Sequence, residues 1–191
     1  KLFSKNDVLS LDLIIGDKPR YNLEYFIDNG FYYSVGFSSR YNSFRSTANS
    51  NTTGINKVDL QYTDFTNSVY IQTTFDRKFA LGLGVEFQSI LSKTETIATP
   101  SGAPFVFDNS NYFNMFSYLK LDTYDDKYYP TKGVFFDGQF KWFASSSDFN
   151  KNFVQFSQAK GKLGFAKALN SKFTFQYVSE AGFTLGKVTS K

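Results

Sequence analysis

The chain has 191 residues, a net charge of +4, and neither cysteine nor histidine. These residues therefore hold no disulfide, no thiol catalysis, no Ser-His-Asp triad and few routes to zinc, haem or iron–sulfur ligation; scattered lysine and arginine argue against nucleic-acid binding. Aromatic residues reach 20%, with 24 Phe and 13 Tyr, while apolar residues total only 41%, a mixture that suits strands with one apolar and one wet face.

Period-two alternation runs through nearly the whole chain. Leu9, Leu11, Leu13 and Ile15 form the first apolar stripe. Tyr21, Leu23, Tyr25 and Ile27 then oppose Asn22, Glu24 and Asp28, with Phe26 on the polar side. Asp28-Asn29-Gly30 follows as a hairpin turn, because Asn and Gly accept the positive φ it needs. Phe31, Tyr33, Val35, Phe37 and Tyr41 next oppose Ser34, Gly36, Ser38, Arg40 and Asn42.

Residues 45–56 read as a long polar loop. The segment 57–75 reads as a long strand whose phase slips between Tyr62 and Val69, which predicts a bulge or a turn at 63–68. After the tight Asp76-Arg77-Lys78 turn, Phe79, Leu81, Leu83, Val85, Phe87 and Leu91 oppose Ala80, Gly82, Gly84, Glu86 and Gln88. Residues 98–110 read as a second long loop, and 112–122 as a strand with mixed faces.

Val134, Phe136, Phe140 and Trp142 oppose Asp137, Gln139 and Lys141. Residues 145–152 read as a third long loop and 153–169 as another mixed strand. Asn170-Ser171-Lys172 turns the chain into a last strand, where Phe173, Phe175, Tyr177, Ala181, Phe183 and Leu185 oppose Thr174, Gln176, Glu180 and Thr184. No helical period is sustained, and about nine strands emerge, many longer than the usual ~5–6 residues. Pro19, Pro100, Pro104 and Pro130 all fall in the expected connections, as strands require.

Tight turns on one rim and longer polar loops on the other are the arrangement of outer-membrane barrels. The competing fold is a soluble sandwich, whose apolar face meets a second sheet. Strand length, aromatic excess and alternating loop length favour an all-β, antiparallel transmembrane β-barrel. Trp142, Tyr41 and Tyr112 are candidates for aromatic girdles, with ordinary sheet packing as the alternative. Arg40 and Glu86 are candidate lumen charges that pair structurally or influence conduction.

The connection "LDTYDDKYYPTKG" lies, by strand parity, on the tight-turn rim. A calcium loop needs acidic ligands at alternate positions, an early Gly and a closing Glu, a spacing that Asp122, Asp125, Asp126 and Gly133 do not have. Adjacent Asp125 and Asp126 on a polar turn also do not converge on a pocket as an acid–base pair must. A turn between two strands is the simplest reading.

Asp-x-x-Asp, a short gap, an aromatic residue, then Pro-Thr-x-Gly before a new strand resembles a turn signature of the bacterial surface-antigen barrels, the BamA-like superfamily of outer-membrane assembly and translocation barrels. The matching residues are Asp122, Asp125, Tyr129, Pro130, Thr131 and Gly133. The string "PRYNLEYFIDNGFYYSVGFSSRYNSF" is similar to the C-terminal barrel of patatin-like phospholipases of Bacteroidetes-type bacteria, in which a patatin domain and a small periplasmic domain precede the barrel.

The resemblance implies a barrel of about sixteen strands, of which residues 1–191 supply part. It implies an upstream periplasmic or enzymatic domain and further strands beyond these residues. The family's Arg-Gly-Phe loop motif is absent and is expected just after the last strand here. The patatin Gly-x-Ser-x-Gly elbow is also absent; Gly36-Phe37-Ser38-Ser39-Arg40 is the nearest string and lacks the second Gly. No catalytic, cofactor-binding or metal-binding set is expected in this chain.

The function implied is the outer-membrane anchor and translocation barrel of a patatin-like phospholipase. The alternatives are the barrel of an outer-membrane protein insertase or translocator and a porin-like channel. Expected partners are outer-membrane lipids, a periplasmic domain of the same parent chain, and copies or components of a larger membrane complex, with no nucleic acid.

Overall fold

A computed structural model describes residues 7–28, 33–49, 57–76, 78–98, 104–147, 149, 151–170 and 172–186. They form one antiparallel sheet whose strands follow each other in chain order, with no helix among the described residues. The strands are β1 (Asp7–Ile14), β2 (Arg20–Asp28), β3 (Ser34–Asn49), β4 (Lys57–Phe75), β5 (Phe79–Ala98), β6 (Pro104–Asp122), β7 (Lys132–Ser146), β8 (Phe156–Ala168) and β9 (Thr174–Leu185). β1 and β9 are the two edges and do not pair with each other. The all-β expectation and the strand number agree with the structure.

The register sorts side chains onto two faces. One outer row passes through Phe75, Phe79, Leu121 and Phe136, and others through Ile71, Leu83, Ser117 and Phe140 and through Val69, Val85, Met115 and Trp142. These apolar residues are open to the surroundings: Leu83 is 56% exposed and Val69 50%. The inner face is the reverse, with Glu86 8% and Asn114 0% exposed. Among the described residues, the buried apolar side chains are Phe143 and Ala166 in the strands and Pro130 between β6 and β7. Polar groups inside and apolar groups outside invert the arrangement of a water-soluble core. The sandwich reading needs a second sheet on the apolar face, and no second sheet exists among the described residues.

The apolar stripe of β5 runs over residues 79–87, with Leu81, Leu83, Val85 and Phe87 exposed, and its length is close to the ~9–11 residues a tilted strand needs to cross hydrocarbon. Strands β3 to β6 continue well past it toward the long-loop rim. There the outward positions become mostly polar, with Ser43, Arg45, Gln61, Thr63, Ser89 and Lys93 around Leu91. The belt is therefore set by side-chain chemistry and not by strand length.

Several local expectations are corrected. β4 has no bulge and no turn at 63–68: its pairing with β3 is unbroken from Gln72 to Lys57. The apparent slip arises because Tyr62 faces inward and Val69 outward, so apolar residues occupy both faces. Register shifts occur elsewhere, after Ser92 in β5 and after Phe113 in β6. Residues 45–49 and 104–110 belong to strands and not to loops, and Pro104 opens β6 opposite Ala98, where a first strand residue tolerates proline. Phe153 precedes β8, and Ile15 lies beyond β1. The rims are less regular than expected, since residues 15–19 make a short connection on the long-loop rim. The loop expected at 50–56, Asn29, Gly30, Phe31 and Pro100 lie outside the described residues.

Candidate functional site

The inner wall is held by side chains that bridge from strand to strand. Asp64 accepts from Thr66 Oγ1 at 3.0 Å and from Gln88 Nε2 at 3.1 Å, and lies 4.0 Å from the Arg40 guanidinium. Asn114 Nδ2 donates to Glu86 at 2.9 Å, and Lys141 Nζ donates to the same Glu86 oxygen at 2.7 Å. Arg40 and Glu86, the candidate lumen charges, thus take separate partners across β3–β4 and β5–β7. Each bridge answers a desolvation cost, because a partly buried charge without a partner is expensive.

Closer to the tight-turn rim, aromatic rings lie over inward-facing glycines. A Cβ on Gly36 would come within 2.1 Å of the Tyr70 ring, and one on Gly82 within 2.1 Å of Tyr118. The Tyr70 hydroxyl donates to Glu24 at 2.8 Å and that of Tyr118 donates to Gln72. Both rings meet edge to face at 6.1 Å. The glycines are needed here for close approach, since any side chain would displace a tyrosine.

The turn between β6 and β7 brings most of the resemblance motif together. Asp125 accepts from the Thr131 amide (2.8 Å), the Thr131 hydroxyl (2.5 Å) and the Lys132 amide (3.0 Å). The Thr131 hydroxyl, with the two amides, holds the Asp125 carboxyl well below the usual carboxylate range. Asp126 accepts from the amides of Tyr129 and Tyr128, which lowers it too. Asp122 caps the Tyr124 amide at 3.0 Å.

Gly133 has φ +119°, and a Cβ there would stand 2.3 Å from the Thr123 carbonyl oxygen. Only glycine fits, for conformation and for space. Each of the three carboxylates accepts from donors of the turn itself, both oxygens in the case of Asp125, so their role is architectural. Tyr129 itself is exposed and contributes its backbone.

The turn also folds onto the inner face. Tyr124 stacks on Phe135 at 6.1 Å, with its hydroxyl beside Gly164. Pro130 is buried, and its carbonyl accepts from Gln176 Nε2 of β9 at 2.8 Å. The motif connection therefore reaches across β7 and β8 and floors the wall at this rim. Sequence reasoning missed this reach; the signal available was the inward parity of Gln176 and Gly164.

At the opposite rim, Tyr112, Phe143, Phe153 and Phe156 gather on the inner face, with Phe143 and Phe156 stacked at 4.3 Å. Tyr112 is thus not a girdle residue: it stands opposite inward-facing Gln88. Trp142 and Tyr41 do face outward, and Tyr41 stacks on Tyr21 at 5.9 Å. The connection 147–155 joins the cluster, with the Phe149 amide donating to Ser110 at 3.1 Å and Ser147 exchanging bonds with Asn111. Asp137 faces inward, as its place on the polar side of the alternation predicts, and Gly138 faces outward under the Phe136 ring.

A family model described as the OMP85 superfamily matches residues 1–191. No curated protein and no solved structure matches the chain. A sheet with a polar inner wall, an apolar outer belt of membrane height and strands joined in simple chain order is what a barrel wall in lipid requires. The chain belongs to the OMP85 superfamily, the surface-antigen type of outer-membrane barrel related to the assembly and translocation barrels, and its place is the bacterial outer membrane.

Proposed function

We propose that this barrel wall is the membrane anchor and export route of a patatin-like lipid acyl hydrolase carried on the same parent polypeptide. The observation that supports it is the aromatic string from Pro19 to Phe44. It forms the β2–β3 pair, with Tyr21 stacked on Tyr41 and Tyr70 reaching back to Glu24. The partners are outer-membrane lipids against the apolar belt and a periplasmic domain of the parent.

The hydrolysis itself is assigned to the passenger. The carboxylates of the β6–β7 turn are engaged by the turn's own donors, and Glu86 is engaged by Lys141 and Asn114.

A second reading, the barrel of an insertase or translocator, is supported by the match to a superfamily of outer-membrane assembly and translocation barrels.

The deciding experiment purifies the full-length parent from outer membranes in detergent and measures fatty-acid release from phospholipid. Release that depends on the parent's own hydrolase domain supports the anchor reading. A folded barrel without release, but with loss of outer-membrane protein assembly on depletion, replaces it with the second.

A further inference from the structure

Between the aromatic cluster at one rim and the in-folded turn at the other, the inner face of β7–β9 is hollow. A cavity of about 480 Å³ opens there, lined by Gln139, Lys141, Gln158, Lys160, Gly182 and Thr184 among others. Its size falls within the ~300–1,000 Å³ of small-molecule sites.

The lining chemistry is one-sided. It offers two ammonium groups, two carboxamides and a hydroxyl, and none of its lining residues is a carboxylate. Lys141 is held in place from behind by Glu86 at 2.7 Å, which fixes its direction while leaving two of its three donors for other acceptors. Lys160 has no ion-pair partner among the described residues. The carboxylates Asp137 and Glu180 stand one inward row nearer the turn rim. There they line an adjoining cavity of about 100 Å³ with Lys162, which shares Gln139 and Lys160 with the larger one.

Gly182 is what keeps the larger cavity open. It sits opposite Lys160, and its backbone is not in the left-handed region. A Cβ added there would meet only the Ala159 carbonyl oxygen and Lys160 Cβ at 3.5 Å and Lys160 Cα at 4.0 Å, which is ordinary contact. Neither backbone conformation nor close packing requires glycine at this position, unlike at Gly36 or Gly82; its consequence is empty space beside two lysines.

The geometry points to a lumenal binding site for a small phosphorylated solute, with Lys141 and Lys160 on the phosphate oxygens and Gln139, Gln158 and Thr184 around its polar remainder. A phosphate offers several strong acceptor oxygens to such donors and gains charge-assisted bonds. The assignment does not depend on what passenger the parent carries.

The test uses the full-length parent in detergent, titrated separately with inorganic phosphate and with a hexose monophosphate, and read by calorimetry and by ³¹P line broadening. Saturable binding of either probe is expected. Lys160→Gln should weaken it by at least about tenfold, the loss of one charge-assisted bond. Gly182→Leu, which projects a side chain into the cavity beside Lys160 while leaving every charge in place, should also weaken it by at least about tenfold. Lys132→Gln, at the turn, should leave it unchanged.

Stronger binding of the monophosphate assigns the site to a phosphorylated sugar, and equal binding assigns it to free phosphate; both support the proposal. Absence of saturable binding, or binding that survives both Lys160→Gln and Gly182→Leu in variants that keep the folded electrophoretic mobility, overturns it.

Discussion

Removal of Lys141 should destabilise the barrel more than neutralisation of its partner Glu86. The reason lies in unequal exposure: the Glu86 side chain is 9% accessible and that of Lys141 is 30%. Lys141→Met leaves a nearly enclosed carboxylate whose remaining donor is Asn114 Nδ2 at 2.9 Å. A charge-assisted hydrogen bond contributes ~1.5–3 kcal/mol, and stranding a buried charge costs ~3–5 kcal/mol. Wall position and partial lumen access place the expected loss at about 3 kcal/mol.

Glu86→Gln instead leaves an ammonium that reaches lumen water and still meets a carboxamide oxygen, so about 1 kcal/mol is expected. The double variant should recover about 1–2 kcal/mol relative to the sum. The measurement is guanidinium unfolding of the full-length parent in detergent, followed by the shift between folded and unfolded electrophoretic mobility. A Glu86→Gln variant as costly as Lys141→Met, or a double variant that is simply additive, would refute the claim that this pair is a coupled, desolvated bridge.

Other substitutions read different parts of the wall. Leu83→Lys, in the middle of the outer belt, should cost about 2–4 kcal/mol in the same unfolding assay, while inward Gln139→Lys should cost little. Gly82→Ala forces the Tyr118 ring aside and should cost about 1–3 kcal/mol; Tyr118→Ala in the same chain should remove that steric part.

Asp125→Ala should release the β6–β7 turn, read as faster hydrogen exchange at the Thr131 and Lys132 amides with strand protection retained. Asp125 has a depressed pKa in the folded turn, so its contribution is complete above the unfolded carboxylate value of about 4 and is lost as pH falls through the folded one. Protection of the Thr131 amide, corrected for intrinsic exchange, should stay flat from neutrality to about pH 4 and decline only below it.

Period two made most of the fold readable, because β5, β7 and β9 each keep one largely apolar face over the height of the belt. It failed where the inner wall is aromatic. Tyr62 and Tyr112 are inward and large, filling space beside Phe44 and Phe143, so their pattern looks like a broken phase or a lipid-facing girdle. Faces within one strand carry no information about what a neighbouring strand needs covered: the Tyr70 ring lies over the inner face because Gly36, directly opposite it in register, leaves room.

The turn motif was legible as a turn, since Pro130 and Gly133 interrupt the pattern and Asp125 sits at capping distance in sequence. Its inward fold onto β9 was not, because that depends on a single carboxamide, Gln176, forty-six residues away. The cavity was invisible for the same reason: Lys141, Lys160 and Gly182 meet only through the register of three strands.

The distribution of side-chain bonds divides the wall into two halves with different mechanical character. From β2 to β7 the inner face is cross-linked: Glu24 to Tyr70, Asp64 to Gln88, Asn114 to Glu86, Glu86 to Lys141. Among the described residues, no inward side chain of β8 hydrogen-bonds to one of β7 or β9; that half is held by backbone pairing, by the Phe143–Phe156 stack at the long-loop rim, and by the Tyr124 and Gln176–Pro130 contacts of the turn. Buried apolar surface cannot compensate, because the outer faces of both halves meet lipid, which is as apolar as they are. The cross-linked half is therefore suited to hold shape. The half with free lysines and an open glycine can accept a ligand's charge without first breaking a protein–protein bond, and the turn that floors it ties its far edge to the motif at Asp125, Pro130 and Thr131. Positioning and binding fall on different strands of one sheet, and the boundary between them is Lys141, which serves both.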